Sequence, residues 1–209
     1  MSKTECYGAV ELGGTHVRAI VAEADRNVFA RLEMRTAGPR EVLRRLIDFF
    51  GHAAGPSGQL ACIGIASFGP LDLDPRSSQY GTITTTPKAG WQGFNPKQAL
   101  ESALQLPTAI ETDVNAAALA ETLWGAGRDT DSLVYVTVGT GIGGGVIADG
   151  RIFPSVRHPE IGHIRVLRHP ADSFEGGCPF HRDCVEGLAA GPSLLARWGR
   201  RLLANFLEL

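Results

Sequence analysis

The sequence lacks an excess of either charge. Its 209 residues include 20 Lys and Arg against 22 Asp and Glu, and the formal net charge is −2. The calculated isoelectric point is about 6.3. A broad basic surface, which nucleic acid or an anionic membrane would require, is therefore not expected. The composition suits a small neutral or anionic ligand better.

Long apolar runs and a secretory signal are also lacking. No stretch approaches the roughly 20 apolar residues that a membrane-spanning helix needs. The sequence begins with the polar residues MSKTE, whereas a signal peptide begins with a basic region followed by an apolar one. We therefore expect a cytoplasmic protein that contacts no membrane.

Cysteine is scarce, with four residues in the chain. This is too few for a disulfide scaffold, and in a reducing compartment closely spaced cysteines are more typical of metal binding. Cys6 and Cys62 lie within apolar strand patterns and are expected to be buried. Cys178 and Cys184 are close enough in sequence to share a metal ion.

The hydrophobic pattern alternates strands with helices. Strands are predicted at residues 6–12, 17–22, 28–34 and 60–67, in a segment ending at residue 111, and at residues 132–138 and 145–149. Helices are predicted at residues 39–54, 96–104, 115–124 and 197–209. Residues 69–96, rich in Pro, Gly, Ser and Thr, are too long for a mere connection and are predicted to form a substrate loop. A three-strand meander followed by this alternation favours a mixed-sheet α/β fold of the actin and ribonuclease-H-like class.

The first motif with chemical content is ELGGT, at residues 11–15. Gly13 and Gly14 follow an apolar strand and precede Thr15, so backbone N–H groups can approach phosphate oxygens without obstruction by a Cβ atom. The carboxylate of Glu11 could hold a magnesium ion. Taken alone, the segment could equally be an ordinary hairpin with Gly-Gly at its turn.

A second glycine-rich segment, GTGIGGG at residues 139–145, also follows an apolar strand. Thr140 and Gly141 offer a hydroxyl and unobstructed amides that suit the rest of a triphosphate. The segment is not a Walker sequence, because no Gly-Lys-Ser/Thr follows it. A flexible hairpin is the alternative. Two such turns indicate a duplicated architecture with a nucleotide held between two lobes.

The segment TDVNAAALAE places Asp113 between a strand and a helix. A carboxylate at this point can face a cleft and accept the proton of a sugar hydroxyl as that oxygen attacks a γ-phosphate. The competing interpretation is a helix N-cap, a role in which Asp is common. Both interpretations can hold together.

The strongest local signal combines His163 with Cys178, His181 and Cys184, in which two residues separate each of the last three. Two thiolates and two imidazoles form a closed tetrahedral set that is typical of structural zinc. The metal would stabilise a segment that is otherwise poor in apolar residues.

Two acidic residues flank this metal set. A loop ordered by the metal could direct the carboxylates of Glu160 and Glu186 towards sugar hydroxyls. The alternative is that both are solvated surface acids.

Together, ELGGT, SFGPLD, YGTITTTPKAGW, TDVNAAALAE, GTGIGGG, HPEIGHI and CPFHRDCVEGLAAGP resemble the repressor, open-reading-frame and kinase (ROK) family, in its zinc-containing fructokinase branch. The resemblance implies an actin-like ATPase fold of two lobes with mixed sheets, and ATP-dependent phosphorylation of a hexose, most simply fructose. It implies Asp113 as the base and Glu11 near Mg²⁺. The residues implied to contact phosphates are Gly13, Gly14, Thr15, Thr140 and Gly141.

The resemblance also assigns the remaining site residues and the domains. It implies that His163, Cys178, His181 and Cys184 bind structural Zn²⁺, and that Glu160, His163 and Glu186 shape the sugar pocket. Residues 1–114 would form the N-terminal lobe with the first phosphate turn and the sugar loop. Residues 115–209 would form the start of a C-terminal lobe that carries the second turn and the zinc segment and is incomplete. A homodimer is compatible with this interpretation.

The sequence departs from the family pattern at some points, and alternatives to a fructokinase follow from them. His16 stands where the family usually has lysine, which predicts a weaker nucleotide site. The chain stops where the family continues into an adenosine-binding glycine motif, so we expect a C-terminal truncation, and an inactive sugar-binding remnant is an alternative to a kinase. Glucose, mannose or N-acetylmannosamine could replace fructose. A DNA-binding repressor is disfavoured, because the chain opens directly on the phosphate-binding strand.

Overall fold

A computed structural model describes residues 5–53, 60–153 and 160–199. In these ranges the strands are β1 (Cys6–Leu12), β2 (His16–Glu23), β3 (Val28–Arg35), β4 (Leu60–Ser67), β5 (Thr108–Thr112), β6 (Leu133–Val138), β7 (Ile142–Ala148) and β8 (Arg151–Ile152). The helices are α1 (Pro39–His52), α2 (Pro96–Leu104), α3 (Asp113–Trp124), α4 (Val185–Ala189) and α5 (Gly191–Trp198), with a 3₁₀ turn at Ile161–His163. The chain divides into two compact units, and the boundary lies between Ala116 and Ala117 within α3.

The first unit is built on a five-stranded mixed sheet of order β3-β2-β1-β4-β5. The antiparallel meander of β1, β2 and β3 continues through β1 into the parallel strands β4 and β5. In register, Leu12 faces Ser67 and Ser67 faces Thr112, so the carboxyl ends of β1, β4 and β5 meet at one edge. Open parallel sheets bind ligands outside this edge.

Helices α1 and α2 pack against each other and cover one face of this sheet. The apolar residues of α1 recur at helical spacing, and Val42, Leu46 and Phe50 are buried against the sheet. Phe50 lies so close to β1 that a Cβ atom at Gly8 would be 2.8 Å from its ring. The close approach of α1 therefore requires glycine at this point of the strand.

Residues 69–95 contain no helix and no strand, yet they form a hydrogen-bonded part of the first core. Leu71 pairs with Ile83 in an isolated antiparallel bridge, and both side chains are buried. The Trp91 indole is buried, stacks edge-on against Phe68 and donates to the Ala37 carbonyl at 3.0 Å. The loop is therefore anchored to the sheet at several points along its length.

The second unit contains the antiparallel sheet β6-β7-β8, the 3₁₀ turn and helices α4 and α5. The sequence pattern placed the start of the second strand at residue 145, and this boundary was wrong, because β7 begins at Ile142. Gly143, Gly144 and Gly145 pair with β6 as strand residues. A Cβ atom at Gly144 would lie 1.7 Å from Ile161, so this glycine makes room for the 3₁₀ turn.

Two predicted helix boundaries also need correction. Helix α3 begins at Asp113 and not at residue 115, because the Thr112 hydroxyl accepts the Asn115 N–H at 3.1 Å and caps the helix there. The predicted helix at residues 197–209 does not run through Gly199, since α5 ends at Trp198 and Gly199 adopts a φ of 65°. Residues 200–209 lie outside the described residues.

Among the helices of the described ranges, none combines the length and hydrophobicity that a membrane crossing requires.

Candidate functional site

The turn at residues 13–15 brings backbone groups to the carboxyl end of β1. Gly13 donates its N–H to the His16 carbonyl at 3.0 Å, and a Cβ atom at Gly13 would lie 2.6 Å from that oxygen, so only glycine fits. The Thr36 hydroxyl donates to the Gly13 carbonyl at 2.8 Å and fixes the turn against β3. Among the described residues, the amides of Gly14 and Thr15 donate to no partner. Successive unpartnered amides of this kind form a cradle for an anion.

Glu11 lies at the end of β1 on the face that α1 and α2 do not cover. Its carboxylate accepts a hydrogen bond from the Arg18 guanidinium at 3.1 Å, and Arg18 also contacts Glu33 at 3.2 Å. The Glu11 side chain is 47% exposed. A single exposed carboxylate suits Mg²⁺, which binds one or two carboxylates and takes its other ligands from phosphates and water. Such an ion would compete with Arg18 for the carboxylate.

Asp113 follows β5 directly, at the sheet edge where Gly13 follows β1. Two strand spacings separate these positions, which corresponds to about 10 Å. Because Thr112 supplies the helix cap, the Asp113 carboxylate does not perform that role. Its Oδ1 atom accepts the N–H of Val114 at 2.9 Å. The N-cap interpretation of Asp113 was therefore wrong, and the cap belongs to its neighbour.

Residues 139–141 form the turn between β6 and β7. The Gly139 N–H donates to the Gly141 carbonyl at 2.9 Å. The Ile142 N–H donates to Oε2 of Glu186 at 2.9 Å, and a Cβ atom at Gly141 would lie 2.6 Å from that oxygen. The amides of Thr140 and Gly141 donate to no partner in the part of the chain that the structure describes. The second turn thus offers two amides, as the first turn does.

The four residues of the predicted metal set meet in one cluster. Their ligand atoms all lie within 4.8 Å of one another. Nδ1 of His163 is 3.5 Å from Sγ of Cys184 and 3.7 Å from Sγ of Cys178, and Nδ1 of His181 is 3.9 Å from Sγ of Cys178. Zinc bound tetrahedrally by sulfur and nitrogen separates such atoms by about 3.5 Å. The donor set and its spacing therefore fit Zn²⁺.

Backbone N–H groups support the two thiols. The His181 N–H points at Sγ of Cys178 at 3.4 Å, and the Gly187 N–H points at Sγ of Cys184 at 3.5 Å. Burial raises the pKa of the Cys184 thiol. A metal cation is the natural means of holding a buried thiol in its thiolate form.

Glu160 and His163 lie side by side at the 3₁₀ turn. Nε2 of His163 is 3.5 Å from Oε2 of Glu160, on the side of the ring opposite to the two thiols. A metal on Nδ1 leaves the proton on Nε2, and that nitrogen then donates to the carboxylate. Metal binding at one ring nitrogen would therefore determine the hydrogen bonding of the other.

Comparisons with known proteins show which family the chain belongs to. The family model described as "ROK family" matches residues 7–205. The chain belongs to the ROK family. It is 46% identical to a fructokinase of Zymomonas mobilis over 198 residues, which cover 94% of this chain and 66% of that protein.

Solved structures of the ROK family share the fold. The ROK hexokinase of Thermus thermophilus is 31% identical, with a TM-score of 0.73, and the match covers 94% of this chain and 65% of that one. A ROK family glucokinase of Streptomyces griseus, solved with glucose and AMPPNP, is 28% identical with the same TM-score of 0.73, over 91% of this chain and 59% of the other. The predicted actin-like fold class is confirmed. The chain spans less than two thirds of the length of these relatives, between 59% and 66%.

Three contacts of the site were not predicted from the sequence. They are the Thr112 cap, the bond from Ile142 to Glu186, and a bond of 2.5 Å from the Lys88 ammonium to the Gly14 carbonyl. A Thr three residues before Asn115 was a readable capping signal. The other two join residues 44 and 74 positions apart, and no local pattern indicates them.

Proposed function

We propose that this chain is a sugar kinase that transfers the γ-phosphoryl group of ATP to D-fructose and forms fructose 6-phosphate. The observation that carries the proposal is the position of Asp113 at the same sheet edge as the turn whose Gly14 and Thr15 amides lack a protein partner. Phosphoryl transfer to an alcohol needs a carboxylate close to a phosphate-binding turn. The ROK relatives support the reaction class.

Asp113 is proposed as the general base. Its carboxylate accepts the proton of the 6-hydroxyl group while the hydroxyl oxygen attacks the γ-phosphorus atom. The bond from that phosphorus to the β–γ bridging oxygen breaks, and ADP leaves with the bonding electrons. The capping by Thr112 supports this role, because the Asn115 N–H is satisfied by Thr112 and does not need the Asp113 carboxylate.

The two glycine turns are proposed to bind phosphate oxygens through the amides of Gly14, Thr15, Thr140 and Gly141. Gly13 contributes by shaping its turn, since its own N–H already donates to His16. Glu11 is proposed to hold Mg²⁺, which would neutralise charge on the phosphates when bound.

The cluster of His163, Cys178, His181 and Cys184 is proposed to bind structural Zn²⁺. All four positions are filled by protein ligands, so the metal would stabilise the loop and would take no part in the reaction. Glu160, His163 and Glu186 are proposed to contact the sugar. The link between Glu160 and Nε2 of His163 supports a shared role for these two residues.

Fructose is favoured over glucose by similarity. The fructokinase relative is 46% identical, whereas the ROK glucokinase is 28% identical. Glucose, mannose and N-acetylmannosamine remain as alternative substrates. A cytoplasmic location and a homodimer are proposed with the enzyme.

The test is ATP-dependent phosphorylation of fructose, glucose, mannose and N-acetylmannosamine by the purified 209-residue chain, with magnesium present and zinc retained. Turnover that prefers fructose supports the proposal. A preference for another hexose overturns the substrate but keeps the reaction class. Absence of turnover, combined with calorimetric binding of fructose to folded and zinc-loaded protein, favours the inactive sugar-binding remnant.

A further inference from the structure

Lys88 brings a positive charge to the first glycine turn. Its ammonium group donates to the Gly14 carbonyl at 2.5 Å, and a Cβ atom at Gly14 would lie 3.4 Å from Nζ. The contact joins residues 74 positions apart. The side chain therefore belongs to the same small region as the unpartnered amides of Gly14 and Thr15.

The loop of residues 69–95 holds Lys88 in place. The Lys88 N–H donates to the Thr86 hydroxyl at 3.3 Å, and the Lys88 carbonyl accepts the Trp91 N–H at 3.2 Å. Trp91 is buried against Phe68, as described above. The anchored loop therefore fixes the backbone position of Lys88.

The charge of Lys88 has no counter-ion among the described residues. Nζ lies 5.1 Å from the centre of the Phe68 ring, and the described chain brings no carboxylate within ion-pair distance. Burial lowers the pKa of Lys88, as expected for an ammonium that has lost part of its hydration. An ammonium has three N–H donors, and the Gly14 carbonyl uses one of them. The remaining donors suit an anionic ligand.

We propose that Lys88 binds the transferring phosphoryl group of the nucleotide, its ammonium contacting one non-bridging oxygen. The Thr15 N–H points away from the Gly14 carbonyl, because the two groups belong to one trans peptide, and it would serve a neighbouring phosphate. The inference rests on the proposed kinase function and adds a binding residue to it. A cation at the transferring group stabilises negative charge where it develops during transfer. The competing interpretation is a structural lysine that only ties the loop to the turn.

The first experiment uses the native chain. Lysines are acylated with an amine-reactive ester, with and without tripolyphosphate and magnesium, and the modified positions are quantified by mass spectrometry. We expect tripolyphosphate to slow the labelling of Lys88 at least several-fold. Lys97, which pairs with Glu101 on α2, serves as the internal control and is expected to label at an unchanged rate. Equal labelling of Lys88 in both conditions overturns the proposal.

The second experiment is kinetic. Lys88→Met is expected to lower kcat by about 100-fold or more, the loss seen when one preorganised donor is removed from a developing anion. The KM for the hexose is expected to stay within about threefold, and Lys88→Arg is expected to recover a large part of the rate. Lys97→Met, the matched control, is expected to behave as the unvaried chain.

The outcomes separate this inference from the proposed function. If Lys88→Met keeps kcat within threefold, or if its only defect is a raised KM for the hexose, Lys88 does not bind the phosphoryl group. If the unvaried chain turns over no hexose, the proposed function fails and the labelling decides on Lys88. Protection by tripolyphosphate then supports a polyphosphate site, and its absence overturns it.

Discussion

At the scale of single residues, the start of α3 separates two roles that adjacent side chains could have shared. Thr112 caps the helix, and Asp113 can serve chemistry without weakening it. We expect Asp113→Asn to lower kcat by at least about 100-fold, because it removes the proton acceptor. The free energy of unfolding is expected to change by less than about 0.5 kcal/mol. Steady-state kinetics and urea denaturation measure both quantities.

Thr112→Val is the matched control for that variant. It removes the capping hydroxyl next to Asp113 and keeps the shape of the side chain. We expect it to destabilise the protein by about 1 kcal/mol while much of the activity is retained. If Asp113→Asn retained more than a tenth of the turnover, Asp113 would not be the base.

The residues that the sequence predicted best are those whose chemistry is local. Cys178, His181 and Cys184 follow one another at short spacing, and the structure brings them together with His163. The positions of Lys88 and Glu186 against the two glycine turns could not be predicted, because each depends on a contact between distant segments. The sequence shows which residues are present and how they are spaced. It does not show which distant segments the folded chain brings into contact.

At the scale of secondary-structure elements, β7 depends on glycine for packing. A Cβ atom at Gly144 would overlap Ile161. We expect Gly144→Ala to destabilise the protein by about 1–3 kcal/mol, because the Ile161 side chain must repack. Gly64→Ala is the control, since nothing lies within 4 Å of the added atom in β4. That variant is expected to change stability by less than about 0.5 kcal/mol. Equal effects of the two substitutions in urea denaturation would contradict the packing argument.

The same glycines explain why the β6–β7 boundary was misplaced. Glycine is unfavourable in a strand interior. The sequence pattern therefore assigned all the glycines of residues 139–144 to the turn. The strands and helices of the first unit were predicted to within two residues, because their apolar periodicity is strong. For Gly141 and Gly144 the reason is a side chain of a neighbouring segment, Glu186 and Ile161 respectively, which the pattern does not show.

The loop between the 3₁₀ turn and α4 is expected to depend on metal. Cys178→Ser should lose most of the bound zinc and weaken the amide hydrogen-exchange protection of residues 177–187, since a structural site with three ligands binds far less tightly. Cys62→Ser is the control, because this cysteine lies in β4 and is not one of the four clustered residues. Elemental analysis that finds the same zinc content in both variants would rule out the proposed site.

At the scale of the whole molecule, β6 is an edge strand of its sheet within residues 5–53, 60–153 and 160–199, and one of its faces is apolar and exposed. Val134, Val136 and Val138 are 59%, 52% and 54% exposed. Unpaired edges of this kind favour association between chains. We expect Val136→Lys to reduce self-association of the 209-residue chain, as measured by light scattering, without loss of zinc.

Ala109→Lys places the same charge on β5, one of the two edge strands of the other sheet. It is expected to leave the association nearly unchanged. If it worked as well as Val136→Lys, net charge and not the valine face would govern association.

The bond between Glu186 and Ile142 would also couple the two proposed binding events, those of zinc and of phosphate. Glu186 lies two residues beyond Cys184, and the Gly191 N–H donates to the Gly139 carbonyl at 2.8 Å, so one short segment touches both the metal cluster and the second glycine turn. Thermodynamic linkage requires that any gain in phosphate affinity caused by zinc is returned as an equal gain in zinc affinity caused by phosphate. We expect tripolyphosphate to raise the chelator concentration needed to remove zinc by about fivefold or more, and an unchanged midpoint would show that the two sites are independent. With such coupling, zinc depletion would lower nucleotide affinity before it unfolds the chain.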